Sequence, residues 1–145
     1  MGKIDTNRIK SKKRNRAMYK QHTASTVNLE YLQEMADGDQ RFIIEVIEMF
    51  MNDAPDVLQQ ALVYHKSENF ALLKISVHKL KSSIKMLGDE ALANLAQDIE
   101  NLAMNQSTHE VITPELQKFV KGVHKLLEGL NTELKHLRSK RQEMA

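Results

Sequence analysis

Leu73, Val77, Leu80, Ile84 and Leu87 recur at spacings of four, three, four and three, and no other feature of the chain restricts its fold as tightly. At ~100° per residue they share one narrow apolar stripe, so this segment reads as a helix that buries one edge. Comparable patterns flank it. Phe42, Ile43, Val46, Ile47, Phe50, Val57, Leu58, Leu62 and Val63 mark a long helix over about 40–66. Shorter patterns cover about 28–36 and about 90–104. Five glycines and two prolines in 145 residues are too few for the turns of a β-protein, and the abundant Ala, Leu, Met, Glu, Lys and Gln favour helix. The expected fold is an all-α antiparallel four-helix bundle with a short extra N-terminal helix and a basic N-terminal arm.

The punctuation between these patterns sets the expected boundaries. Asp37-Gly38-Asp39 separates the first two helices, with Asp39 as N-cap. Pro55 removes an amide hydrogen and crowds the preceding turn, which predicts a bend or break near Asn52–Ala54. Ser67 or Asn69 caps the helix over about 70–87, Gly88 ends it and Asp89 caps the next. A loop is expected over Asn105–Val111. Thr113-Pro114-Glu115 reads as the start of the last helix, which runs to about Leu137, where the basic residues of 138–141 complement its dipole. The bundle domain is thus expected over 27–138, with 1–25 a flexible basic arm and 139–145 a C-terminal tail.

The net charge of +2 conceals an asymmetry. Residues 1–25 hold eight basic residues against Asp5 alone, whereas the remainder holds thirteen basic and eighteen acidic. The body is therefore mildly acidic, which argues against nucleic-acid binding by it. The arm reads as a solvated extension, as a helical extension that packs only in context, or as a surface for phosphate or membrane headgroups. There is no Cys, so disulfides and thiolate metal sites are excluded. No apolar run approaches the ~18–20 residues of a membrane span, and no apolar segment follows the basic N-terminus as in a secretory signal. A cytoplasmic protein, monomeric and without membrane contact, is the expectation.

The third helix of the pattern, over about 70–87, carries the candidate chemistry. Position 78 falls roughly 140° from the centre of the apolar stripe, on the outer face. Ala71, Ile75, Ser82 and Lys85 lie near His78 on that face, and Lys74 and Lys81 flank it at the boundary. A solvent-facing imidazole with ammonium groups nearby is suited to accepting a phosphoryl group, because imidazole is a nucleophile and the ammonium groups attract the phosphoryl oxygens. Ser82, one turn along, leaves space and a hydroxyl. Ile75, with Ala71 and Lys74, supplies a docking surface that Met49 of the preceding helix is expected to edge. By spacing alone an exposed histidine among lysines is usually plain surface. A metal site is not expected, since the i−4 and i+4 neighbours, Lys74 and Ser82, complete no ligand pair.

Residues 77–88, Val-His-Lys-Leu-Lys-Ser-Ser-Ile-Lys-Met-Leu-Gly, resemble the signature of the histidine-containing phosphotransfer (HPt) domain, His-x-Leu-Lys-Gly-Ser/Ala-Ser/Ala-x-x-Leu-Gly. His78 matches the phosphorylated histidine, Leu80 the buried leucine and Lys81 the lysine that assists the phosphoryl group. Ser83 matches a small packing position, and Leu87-Gly88 the helix end. Ser82 departs from the glycine often found there, which bears on how closely a partner approaches. The resemblance extends over roughly 28–135, through Asp37-Gly38-Asp39 and Asp53-Ala54-Pro55-Asp56. It implies a phosphocarrier that exchanges a phosphoryl group between His78 and an aspartate of receiver domains in response regulators or hybrid histidine kinases. Lys81, and with it Lys85, would stabilise the transferred group. Glu100, twenty-two residues past His78, falls where members place a Gln or Glu that accepts the proton of Nδ1; its other reading is a solvated helix charge.

No Gly-rich phosphate loop is present, so autonomous ATP-dependent kinase activity and a bound cofactor are not expected, and Mg²⁺ would belong to the receiver. The alternative is a non-catalytic helical adaptor that binds a protein, or nucleic acid through the basic arm. His65, near a helix C-terminus, reads as structural, His124 as a boundary residue of the last helix, and His22, His109 and His136 show no partner spacing. Met35, Met86 and Met104 read as core fillers.

Overall fold

The computed structural model describes residues 27–144; the arm over 1–25 and His22 lie outside them. Five helices follow in order: α1 (Glu30–Ala36), α2 (Gln40–Lys66), α3 (Phe70–Met86), α4 (Glu90–Met104) and α5 (His109–Met144). Each of the four longer helices packs on its neighbours around the bundle, and α5 closes the ring against α2. The connections between them are three or four residues long, which forces successive helices to run antiparallel.

The caps explain why the helices begin where they do. Asp39 accepts hydrogen bonds from the amides of Arg41 and Phe42, Asn69 from Leu72 and Asp89 from Leu92. Asn69, not Ser67, is the N-cap of α3; Ser67 Oγ donates instead to the carbonyls of Val63 and Tyr64. At the other end of α3, Gly88 takes φ +82°, the left-handed conformation that ends helices. Its missing side chain also serves a close approach, because a Cβ there would sit 1.8 Å from the carbonyl oxygen of Asn28. The strand of chain leading into α1 is thereby held over the α3–α4 turn.

Pro55 does not break its helix, and Pro114 does not begin one. α2 runs unbroken through Pro55. Pro55 is exposed between the buried Ala54 and Val57, so water can satisfy the carbonyl its ring leaves without an amide, and the buried face holds the helix together. Pro114 lies inside α5 rather than at its first turn. The helix starts at His109 because Thr108 supplies the cap: its hydroxyl and carbonyl both meet the amide of Val111. No loop therefore extends to Val111. The helix also continues past Leu137 to Met144.

The early start of α5 brings His109 onto His65 at the C-terminus of α2. The rings stack with centroids 3.9 Å apart. His65 Nε2 meets the His109 carbonyl at 3.2 Å, His109 Nδ1 meets the His65 carbonyl at 3.1 Å, and Thr113 Oγ1 lies 3.2 Å from His65 Nε2. His109 thus has a partner that its sequence spacing did not reveal, while His65 is buried as a structural residue.

The core is a single cluster. It takes Leu73, Val77, Leu80, Ile84 and Leu87 from α3 and its C-cap, Ile43, Ile47 and Phe50 from α2, and Leu116, Phe119, Val123 and Leu126 from α5. From α4 come Leu92, Ala93, Ala96, Ile99 and Ala103, whose alanines let α3 and α4 approach closely. Met35 and Met104 are exposed rather than core, whereas Met86 packs against the core. Among the described residues no helix is long and apolar enough to cross a membrane.

Candidate functional site

The apolar stripe of α3 faces inward along its whole length, with Leu73, Val77, Ile84 and Leu87 fully buried. His78, next in sequence to one of these, is carried to the edge where α3 meets α4. Its side chain is 60% exposed. Nδ1 lies 2.7 Å from Oε1 of Glu100 on α4. An ionised carboxylate only accepts, so the ring proton resides on Nδ1 and, in the neutral ring, the lone pair is left on Nε2.

Glu100 is withdrawn from water, being only 4% exposed in its side chain. A buried carboxylate needs partners for both oxygens. Oε2 receives the ammonium of Lys81 at 2.7 Å; the contact is an ion pair by distance, and its alignment is not that of a hydrogen bond. Lys81 Nζ also donates to Oε1 of Gln97 at 2.7 Å, and Gln97 Nε2 donates to Oδ1 of Asn101 at 2.9 Å. The antiparallel register makes this set. Three residues forward of His78 on α3 stands Lys81; three residues back from Glu100 on α4 stands Gln97.

Lys81 therefore differs from its expected place. It is buried, not at the boundary of the stripe, and its ammonium is engaged by Glu100 and Gln97. Its long apolar stem lies along the α3–α4 seam while the charged end reaches the carboxylate. Ser82 is exposed one turn from His78, and its hydroxyl points back to the His78 carbonyl at 3.4 Å. Lys85 is exposed beyond it.

The surface around the ring is apolar on one side. Ala71, Lys74, Ile75 and His78 line a shallow open hollow, with Ile75 60% exposed. Met49 is exposed too, but it borders a separate groove between α2 and α3 with Val46, Phe50, Lys79 and Ser83. The structure thus groups three of the four expected docking residues with His78 and places Met49 elsewhere. Gln97 and Asn101 were not anticipated. A signal for Glu100 did exist: it stands four residues after Ala96 and seven after Ala93, on the buried face of α4. No comparable signal marks Gln97, which is exposed.

Among the described residues no group of three or more His, Asp or Glu is arranged to hold a metal ion. The site is an exposed imidazole, oriented by a buried carboxylate, at the edge of a four-helix bundle. A family model of the Hpt domain matches residues 45–140, more than half of the chain, and the chain belongs to the Hpt family of histidine phosphocarriers. No curated protein and no solved structure matches it.

Proposed function

We propose that this chain is an intermediate in a multistep two-component phosphorelay, exchanging a phosphoryl group between Nε2 of His78 and the aspartates of receiver domains. The observation that carries the reading is the 2.7 Å contact of Nδ1 with a buried Glu100 beneath an exposed ring. It points the nucleophilic nitrogen at solvent, where a partner's acyl phosphate can be reached in line.

In the transfer, the Nε2 lone pair attacks phosphorus, the N–P bond forms and the P–O bond to the receiver's carboxylate breaks, releasing that carboxylate as an anion. The proton on Nδ1 remains between the ring and Glu100, which offsets the positive charge developing on the imidazole. Lys81 neutralises Glu100 from its other side. Lys74, which lines the hollow beside His78, and Lys85, exposed two turns along the same helix, would meet the phosphoryl oxygens from the edges of the site. Reverse transfer follows the same path. The hollow lined by Ala71, Lys74 and Ile75 would seat the receiver.

The test is incubation with a phosphorylated receiver, followed by assay for acid-labile, alkali-stable phosphate. The wild-type chain should label and His78→Gln should not. Label on His78→Gln, or none on the wild type across a panel of receivers, would overturn the reading.

A further inference from the structure

We infer that Gln97 is a positioning residue for the phosphotransfer step, acting on His78 through Lys81 and Glu100. The inference rests on the proposed function, and goes beyond it to a residue on the surface of the neighbouring helix.

Four side chains stand in series behind the imidazole. Asn101 Oδ1 accepts from Gln97 Nε2 at 2.9 Å, Gln97 Oε1 accepts from Lys81 Nζ at 2.7 Å, Lys81 Nζ pairs with Glu100 Oε2 at 2.7 Å, and Glu100 Oε1 meets His78 Nδ1 at 2.7 Å. A glutamine amide can present either its oxygen or its NH₂. The second would repel an ammonium. The ammonium, which can only donate, turns the Gln97 oxygen toward itself, and Asn101 Oδ1 takes the NH₂ and holds the amide in that orientation.

Lysine is a flexible four-carbon chain with a strongly hydrated head, and its rotamer freedom must be removed if the head is to stay in place. Glu100 offers one acceptor in a poorly aligned ion pair. The Gln97 oxygen is the second acceptor, and two acceptors at the same short distance define where the ammonium sits. With the ammonium displaced, Oε2 of a buried carboxylate would lie unpaired, and the carboxylate would turn to recover a partner. Oε1 would then lose its alignment with Nδ1, and the ring its direction.

The expected consequence is a loss of rate without a loss of docking. Gln97→Met keeps the shape and removes the acceptor. It should lower the rate constant for transfer from a saturating phosphorylated receiver by about tenfold, with KM unchanged. Gln97→Glu keeps an acceptor for Lys81 and should restore most of that rate. Asn101→Ala, which frees the amide to rotate, should fall between them. A readout independent of any receiver is the nitrogen-bound proton of His78 Nδ1 in NMR, together with the Lys81 ammonium resonance. Both should be sharp in the wild type and in Gln97→Glu, and broadened by exchange in Gln97→Met.

An unchanged rate constant and an unchanged Nδ1 proton in Gln97→Met would overturn the inference. So would a raised KM alone, which would make Gln97 a contact for the partner. If the wild type accepts no phosphate from any receiver, the proposed function fails, and the two resonances still decide whether Gln97 positions the ring.

Discussion

A solvent-facing imidazole has two nitrogens, and a fixed acceptor at one of them is what directs the other outward. Here that acceptor is a carboxylate withdrawn from water, which is itself costly unless a cation and a hydrogen-bond donor meet it. Lys81 and His78 supply them. The site is thus a set of mutually dependent residues, and its stability and its chemistry are separable by mutation. Lys81→Met should destabilise the fold by about 3 kcal/mol, the low end for breaking a buried pair, because His78 still meets Glu100. Adding Glu100→Leu removes the stranded charge, so the double variant should regain most of that loss in urea unfolding. Its rate of phosphate acceptance should nevertheless stay low, since the ring has lost its acceptor. A double variant as unstable as Lys81→Met would show that the pair is not coupled.

Helix boundaries in this chain follow local rules with two instructive departures. Asp39, Asn69, Asp89 and Gly88 act where their residue types suggest. Pro114 does not start its helix and Pro55 does not break its own, because a long buried face outweighs one missing hydrogen bond on the solvent side. The two left-handed turn glycines separate conformational strain from crowding. Gly38, at φ +86°, has open space around a notional Cβ, so Gly38→Ala should cost only about 1–2 kcal/mol for the left-handed backbone. A Cβ on Gly88 would sit 1.8 Å from the Asn28 carbonyl oxygen, so Gly88→Ala must also push away the segment leading into α1. Its midpoint in thermal or urea unfolding should fall clearly further than that of Gly38→Ala; equal losses would mean that the contact with Asn28 is unimportant.

At the scale of the whole molecule, the two ends of the bundle are tied differently. The stacked His65 and His109 join α2 to α5 at one end, and Arg138 with Glu48 joins the same helices at the other, at 3.1 Å and exposed. The exposed pair is worth at most ~1 kcal/mol. Between them the α3–α4 edge carries the oriented ring and the apolar hollow. If that hollow seats the receiver, Ile75→Glu should raise KM for transfer by roughly tenfold, the scale of losing a partly buried apolar contact, while leaving thermal stability unchanged because the side chain is exposed. An unaltered KM would move the docking surface elsewhere, with the groove bordered by Met49 the next place to substitute.

Much of this was legible in the linear chain. The 4-3-4-3 stripe placed His78 outward, the caps set three helix starts, and the scarcity of turn residues set the fold class. These are properties of a single helix, governed by its period and its ends. Glu100 as the acceptor of Nδ1 was implied by the family resemblance, but its burial, the burial of Lys81, the place of Gln97 and the pairing of His65 with His109 belong to another kind of information. Each depends on the register at which one helix lies against the next, and register is set by the packing of whole faces rather than by any local run. A helical period tells which way a side chain points; only the packed bundle tells what it meets there.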